Sequence, residues 1–152
     1  MAAAKIDKTG LQIVRLLQNG RRSFKEIGLE MGLSEATIRS KVAKMIQDGL
    51  VDIKALVSTK SLEPGHQTAY IGMRLKSPSL KELAEKLSRL PGVISVAVVT
   101  GRYDLILTVM LTPELTLIDF FNHMLERHSD GIRSNETFLV YEEVNLKVPY
   151  PF

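Results

Sequence analysis

Small, hydroxyl-bearing and cationic residues recur at helical spacing between positions 34 and 47 of the sequence. On a helical wheel they lie opposite an apolar stripe of Ile38, Val42, Met45 and Ile46. Small and hydrogen-bonding side chains near the start of a helix suit the edges of DNA bases, and the cations beside them suit phosphates. The residues predicted to contact DNA here are Ser34, Ala36, Thr37, Arg39, Ser40, Lys41 and Lys44. The alternative interpretation is an ordinary solvated face on a pair of core helices.

A pair of short helices is predicted to present this face. Ser23 and Glu26 form a capping box, in which each side chain satisfies a backbone N–H at the start of a helix. Gly32 can take the left-handed conformation that ends this helix. Ser34 then caps a second helix, which we expect to run to about Gln47. Two helices joined by so short a turn are typical of a helix-turn-helix unit.

The residues on either side complete a three-helix unit. A further helix is predicted from Lys8 to Gln18, and its core residues are predicted to be Leu11, Val14, Leu16 and Leu17. The stretch from Leu50 to Ser58 is rich in β-branched residues and predicts a short strand or wing. Wings commonly contact phosphate, which makes Lys54 a candidate DNA-binding residue, although a plain surface lysine is the commoner case.

Charge is distributed unevenly along the chain. Residues 1–60 hold 11 Lys and Arg against 6 Asp and Glu, a net +5, whereas residues 61–152 hold 9 against 11, a net −2. The basic half contains the helix pair, as expected for a unit that meets a polyanion. We therefore place a DNA-binding domain at 1–60, a turn-rich linker at 61–67 and a second domain at 68–152.

From Thr68 onward the periodicity predicts alternating strands and helices. Strands are predicted at 69–75, 93–99, 105–111 and 133–144, and helices at 80–90 and 113–127. The order β-α-β-β-α-β is that of the ferredoxin-like fold, an antiparallel four-stranded sheet with both helices on one face. The predicted fold class is α+β, with a winged helix-turn-helix domain joined to a ferredoxin-like domain.

Two apolar strands predict a homodimer. Residues 93–99 (VISVAVV) and 105–111 (LILTVML) are apolar at nearly every position, whereas a sheet with one face in water should alternate. An exposed patch of that size exceeds what monomers usually tolerate, so a second copy of the sheet is the simplest cover. A two-fold dimer also suits DNA binding, because paired helices match half-sites about one helical turn apart.

Three stretches resemble the Lrp/AsnC family of transcription regulators, and the resemblance covers essentially the whole chain. IDKTGLQIVRLLQNGR resembles the family's opening helix, and GLSEATIRSKVAKMIQDGLV resembles its recognition helix and the following turn. LPGVISVAVVTGRYDLILTV is similar to the strand-loop-strand of its effector domain. The resemblance implies a dimeric regulator, often assembled into tetramers or octamers, whose ferredoxin-like (RAM or ACT-like) domain senses an amino acid or related metabolite.

The resemblance also implies an effector site between dimers. Carried over by position, it comprises Thr100, Gly101, Arg102, Tyr103 and Asp104, faced by Ser134, Asn135, Glu136 and Thr137 of a neighbouring dimer. Asp104 can accept a hydrogen bond from an α-ammonium, and Arg102 can donate to an α-carboxylate. The alternative is plain turn chemistry between two strands, in which Asp104 pairs with Arg102 or a backbone amide.

The sequence offers no catalytic or metal-binding constellation. It has no cysteine, and His123 and His128 are five residues apart, unlike an i, i+4 metal pair. We expect no cofactor, no metal and no enzyme activity. Two alternatives remain: a metabolite-sensing scaffold without DNA binding, and a decarboxylase-like relative of the same architecture. No segment approaches the roughly 20 apolar residues of a membrane span, and a cytoplasmic location is expected.

Overall fold

The computed structural model describes residues 5–62, 64–76, 79–144 and 146–149. They form two compact units that divide between Lys54 and Ala55, ahead of the 61–67 stretch that the sequence suggests as a linker. The first unit contains α1 (Lys8–Leu17), α2 (Phe24–Met31) and α3 (Glu35–Gln47). The second contains β1 (Leu56–Ser58), β2 (Gln67–Leu75), α4 (Leu80–Leu87), β3 (Val93–Val98), β4 (Leu105–Leu111), α5 (Leu117–His128), β5 (Ile132–Leu139) and β6 (Lys147–Pro149).

Local capping bonds set the ends of the helix pair, as predicted. Ser23 Oγ accepts from the Glu26 N–H at 3.2 Å, and the Glu26 carboxylate accepts from the Ser23 N–H at 2.7 Å. Gly32 follows α2 with a φ of 66°, in the left-handed region. Ser34 Oγ accepts from the Thr37 N–H at 3.1 Å and begins α3. These contacts confirm the predicted helix-turn-helix.

The core of the first unit corrects the predicted face of α1. Ile13 is fully buried, whereas Leu11, which the sequence analysis assigned to the core, is 48% exposed. Two residues span about 200° around a helix, so Leu11 and Ile13 cannot both face the core. On α3 the predicted stripe is buried at Ile38, Val42 and Met45, but Ile46 is 44% exposed at its margin.

The second unit is built on a four-stranded antiparallel sheet with the order β3-β4-β2-β5, as expected for the ferredoxin-like fold. Helices α4 and α5 contribute Leu87, Phe120 and Met124 to one core with Ile71 and Leu107 of the sheet. Both helices therefore cover the same face. Because side chains alternate along a strand, the opposite face carries Thr68, Tyr70, Gly72, Ser95, Ala97, Ile106, Thr108, Met110, Ser134, Glu136 and Phe138.

This second face, which we call the open face, is more polar than the strand sequences predict. Ser95 and Thr108 share a hydrogen bond of 3.1 Å across β3 and β4. Apolar surface is concentrated at Tyr70 and Phe138, which are exposed cross-strand partners on β2 and β5. Since aromatic cross-strand pairs form compact patches, these two side chains are the main candidates for contact with a second copy.

The predicted strand or wing at Leu50 to Ser58 is corrected by the structure. Its strand is only β1, which pairs with β6 so that Val57 lies opposite Val148. β1 therefore belongs to the second unit and is not a wing of the helical one. Pro149 closes this ladder opposite Leu56, at a strand end where a missing N–H is tolerated. The preceding strand, β5, ends at Leu139 rather than at Val144.

Candidate nucleic-acid interface and effector loop

The side of α3 opposite its buried stripe is a row of small and polar residues. Ala36, Ser40, Ala43 and Gln47 are all exposed, and they follow one another at intervals of four and three residues. Ala43 was not among the predicted DNA contacts, although it lies three residues after Ser40 and so on the same side of the helix. Because three of these four side chains are small, the helix backbone can approach a flat or grooved partner closely.

Ser34 and Thr37, two predicted DNA contacts, are bound to each other. Ser34 Oγ accepts from the Thr37 N–H, and the two hydroxyl oxygens lie 2.8 Å apart in a hydrogen bond. These groups therefore fix the start of α3. The hydroxyl that α3 presents on its exposed row is that of Ser40.

The cations beside this row differ in how they are paired. Arg39 lies 2.7 Å from Glu35, and its guanidinium stands 5.3 Å from the centre of the Phe24 ring. Lys41 lies 3.4 Å from Asp7, whereas Lys44 has no acidic partner within the described residues. Exposed ion pairs are each worth roughly 0–1 kcal/mol, so a phosphate can replace the carboxylate in them.

Lys54, the candidate from the predicted wing, lies outside any strand. Its ammonium is 2.6 Å from Asp52, and both side chains are exposed. Residues 51–55 have no regular secondary structure, and Lys54 forms its ion pair with Asp52 in the same segment.

In the candidate effector loop, the Asp104 carboxylate is engaged by the chain itself. Asp104 Oδ2 accepts from the Leu75 N–H at 2.8 Å, and the Asp104 N–H donates to the Met73 carbonyl at 2.8 Å. The first bond lies where the register of β2 with β5 shifts, between Arg74 and Leu75. Pairing of Asp104 with a backbone amide, one of the two alternatives, is the arrangement found. Its carboxylate holds the loop against the end of β2.

Tyr103 lies flat on Gly72 and bonds to Glu136. A Cβ at residue 72 would stand 2.8 Å from atoms of the Tyr103 ring, so this contact requires glycine. The Tyr103 hydroxyl donates to the Glu136 carboxylate, and this bond, with burial as a second cause, raises the pKa of Tyr103. Arg102 also approaches Glu136 Oε2, at 3.0 Å, and stands 5.5 Å from the centre of the Tyr103 ring.

Glu136, which the resemblance places opposite the loop of a neighbouring dimer, also meets the loop of its own chain. The other β5 candidates do not gather there. Ser134 shares the side of β5 that carries Glu136, whereas Asn135 and Thr137 point to the opposite side. The side chains of these four β5 residues are therefore divided between the two faces of the sheet. Gly72 was not among the predicted site residues. A glycine inside a strand can indicate a close approach of another group, and this was the one feature of the sequence that pointed to it.

Thr100 and Gly101 form the exposed tip of the loop. Gly101 has a φ of 118°, and apart from its two chain neighbours no group of the described residues lies within 4 Å of the position of a Cβ there. Within the described part of the chain, no three His, Asp or Glu side chains come close enough to hold a metal ion. No helix in that part is both long and apolar enough to cross a bilayer.

Comparison with known families gives one match for each unit. The description of an AsnC-type helix-turn-helix domain fits residues 6–46, and that of the Lrp/AsnC ligand binding domain fits residues 68–148. Among characterised sequences, the transcriptional regulator Ptr1 of Methanocaldococcus jannaschii is 33% identical over 109 residues, which cover 70% of this chain and 72% of Ptr1. Both units are therefore matched in sequence by regulators.

Solved structures agree with these matches. E. coli AsnC superposes with a TM-score of 0.60 at 30% identity, over 92% of this chain and 95% of AsnC. A Neisseria meningitidis transcriptional regulator in complex with L-methionine has a TM-score of 0.61 at 23% identity, over 97% and 96% of the two chains, and so shares the fold. The chain belongs to the Lrp/AsnC family of transcription regulators.

Proposed function

We propose that this regulator binds double-stranded DNA through α3 as a homodimer and responds to an amino acid through the loop at residues 100–104. The observation that carries DNA binding is the exposed row of α3, where small side chains stand between cations. Ser40 and Gln47 offer hydrogen bonds to base edges, and Ala36 and Ala43 permit close approach. Arg39, Lys41 and Lys44 contact phosphates, and the Ser34–Thr37 cap orients the helix start.

A salt titration of DNA binding tests this role of α3. Lys44→Ala should weaken binding to all duplexes about equally and reduce the slope of log K against log salt by roughly 0.9, one phosphate's worth. Ser40→Ala should change sequence preference more than affinity. Lys81→Ala, which removes an exposed lysine from α4, is the matched control. If both α3 variants match the wild type, α3 is not the DNA-binding helix.

The open face is the proposed dimer surface. Its exposed apolar patch centres on Tyr70 and Phe138, and a second sheet would remove both from water. Phe138→Lys should therefore shift the protein toward monomer in sedimentation at micromolar concentration. Ile118→Lys, on the exposed side of α5, is the control for adding a charge at an exposed apolar position. Equal mass for the wild type and Phe138→Lys would contradict this dimer surface.

The effector proposal rests on the Arg102–Glu136 ion pair. It is a cation and a carboxylate in one place, partly exposed, beside a loop whose own Asp104 is already bonded. An amino acid could open this pair, with its carboxylate on Arg102 and its ammonium on Glu136. The related Neisseria regulator in complex with L-methionine supports an amino acid as the ligand class.

A thermal-shift screen of the twenty amino acids tests the effector site. A ligand that binds only the folded protein raises the melting temperature by mass action. Arg102→Gln and Glu136→Gln should abolish the shift, whereas Asp104→Asn should keep it, since Asn retains the acceptor for Leu75. If every amino acid leaves the melting temperature unchanged, the effector proposal fails.

We propose further that the protein acts by binding alone, without catalysis. The scaffold alternative predicts amino-acid binding without salt-dependent DNA affinity, so the titration above separates the two. The decarboxylase-like alternative needs a pocket of histidine and arginine, and the candidate loop offers only Arg102.

A further inference from the structure

A cleft in the first unit lies between the start of α1 and α3, and lysines surround it. Lys5, Lys41 and Lys44 line it together with the carboxylates Asp7 and Asp48. Lys41 and Lys44 are also the cations on one flank of the exposed row of α3. One acid of this cleft, Asp7, therefore pairs with a side chain that is proposed to contact phosphate.

Asp7 uses its two oxygens differently. Oδ1 accepts from the Gly10 N–H at 2.5 Å, which makes Asp7 the N-cap of α1. Oδ2 lies 3.4 Å from the Lys41 ammonium, and both of these side chains are partly exposed. The Gly10 amide, with a smaller contribution from Lys41, holds the pKa of the Asp7 carboxyl below its usual range. The carboxylate is thus charged at neutral pH and fixed in position by its cap.

We infer that Asp7 competes with a DNA phosphate for Lys41 and so limits the sequence-independent part of DNA affinity. The inference rests on the proposed role of α3. Binding that uses Lys41 must first break the pair with Asp7, and it leaves that carboxylate near the phosphate backbone. Each phosphate that a protein neutralises adds to affinity and to its salt dependence. A carboxylate anchored beside one of those cations reduces both quantities.

The substitution Asp7→Asn separates the cap from the charge. Asn caps helices about as well as Asp, so α1 should keep its N-terminus while Lys41 is released. Affinity for a duplex without an operator should rise about two- to five-fold at low salt, the range given by an exposed ion pair. The salt slope should steepen by up to roughly 0.9. Thermal melting checks folding, and Asp7→Ser is a second capping variant should the Asn protein be unstable.

Two controls make the result specific to Lys41. Asp48→Asn removes the other carboxylate of the cleft, which forms no ion pair within the described residues. Its effect should be smaller than that of Asp7→Asn. In a Lys41→Gln background, the effect of Asp7→Asn should fall to the level of the Asp48 control.

An effect of Asp7→Asn that is no larger than that of Asp48→Asn, or that persists without Lys41, would overturn the competition. In both of those outcomes wild-type DNA binding would still support the proposed function. A wild-type protein that does not bind DNA at low salt would overturn the proposed function, and the inference with it.

Discussion

The exposed row of α3 and the loop at residues 100–104 are both surfaces that the sequence singles out, but they are held by different kinds of contact. α3 is fixed by bonds between residues three apart, such as Ser34 with Thr37, and by one buried stripe. The loop is fixed by partners distant in sequence, since Asp104 bonds to Leu75 and Tyr103 to Glu136. Exposed polar side chains of α3, such as Ser40 and Gln47, can therefore bind a partner. In the loop, Asp104 and Tyr103 already form hydrogen bonds within the chain.

The largest expected loss of stability comes from removing a buried side chain that holds α3 in place. Ile38→Ala removes a fully buried side chain from the small core of the first unit and should cost roughly 2–5 kcal/mol of stability. Thermal melting and DNA binding measured together should show an unfolded first unit and lost affinity. Ile46→Ala, on the same helix but 44% exposed, is the matched control and should change little. Equal loss in both variants would mean that the stripe does not position the helix.

Asp104→Ala tests whether the loop is built into the fold. It leaves the partly buried Leu75 N–H without an acceptor, which should cost about 1–3 kcal/mol in chemical denaturation. Asp104→Asn keeps an acceptor oxygen and should recover most of that loss. If the Ala variant is as stable as the wild type, the carboxylate is free for a ligand, and the contrast with α3 disappears.

Gly72→Ala should separate Tyr103 from the sheet. The added Cβ would stand 2.8 Å from the ring, so the ring must move and its bond to Glu136 should break. The expected result is a small loss of stability in chemical denaturation, with DNA binding unchanged. Gly20→Ala is the control, because apart from the chain neighbours none of the described groups lies within 4 Å of a Cβ at that position. Unchanged stability together with an unchanged tyrosine titration would contradict the contact.

The smallest expected effect is a dependence of the free energy of unfolding on pH, caused by Tyr103. Its pKa is raised in the folded state, chiefly by the bond to Glu136. The bond therefore contributes stability that is fully present below the unfolded pKa of about 10, and this stability is lost as pH rises through the folded pKa. Tyrosinate absorbance should show a late-titrating component, which Glu136→Gln moves to lower pH and Tyr103→Phe removes. Simultaneous titration of all tyrosines would contradict it.

The capping contacts that the sequence predicted are decided by neighbouring residues, whereas the strand order of the sheet was predicted from the order of the elements. The Ser23–Glu26 box and the αL conformation of Gly32 depend on contacts within one helical turn, and both are confirmed. The choice of Ile13 over Leu11 depends on where α2 and α3 lie, which a single helix does not encode. The pairing of β1 with β6 joins segments about 90 residues apart, so β-branched composition could suggest a strand but not its partner.

The contacts of the loop at residues 100–104 likewise join segments that are distant in sequence. Its residues were identifiable by resemblance, but their bonds to Gly72, Leu75 and Glu136 arise only when β2 and β5 pair. A glycine in a strand and a glutamate in a polar strand carry no sequence signal for such a contact. The effector-site residues that the resemblance implies therefore remain proposals. One of them, Asp104, already accepts a hydrogen bond from the Leu75 N–H.

Among the described residues, the ladder of β1 and β6 joins three residues on each side, and β1 begins right after the first unit. Two-stranded ribbons of this length are marginal in water. Amide protons at Val57 and Val148 should therefore exchange with solvent sooner than those of the central strands. Tension along the backbone would unzip this ribbon while the four-stranded sheet stayed intact, so it would be the first element of the second unit to fray.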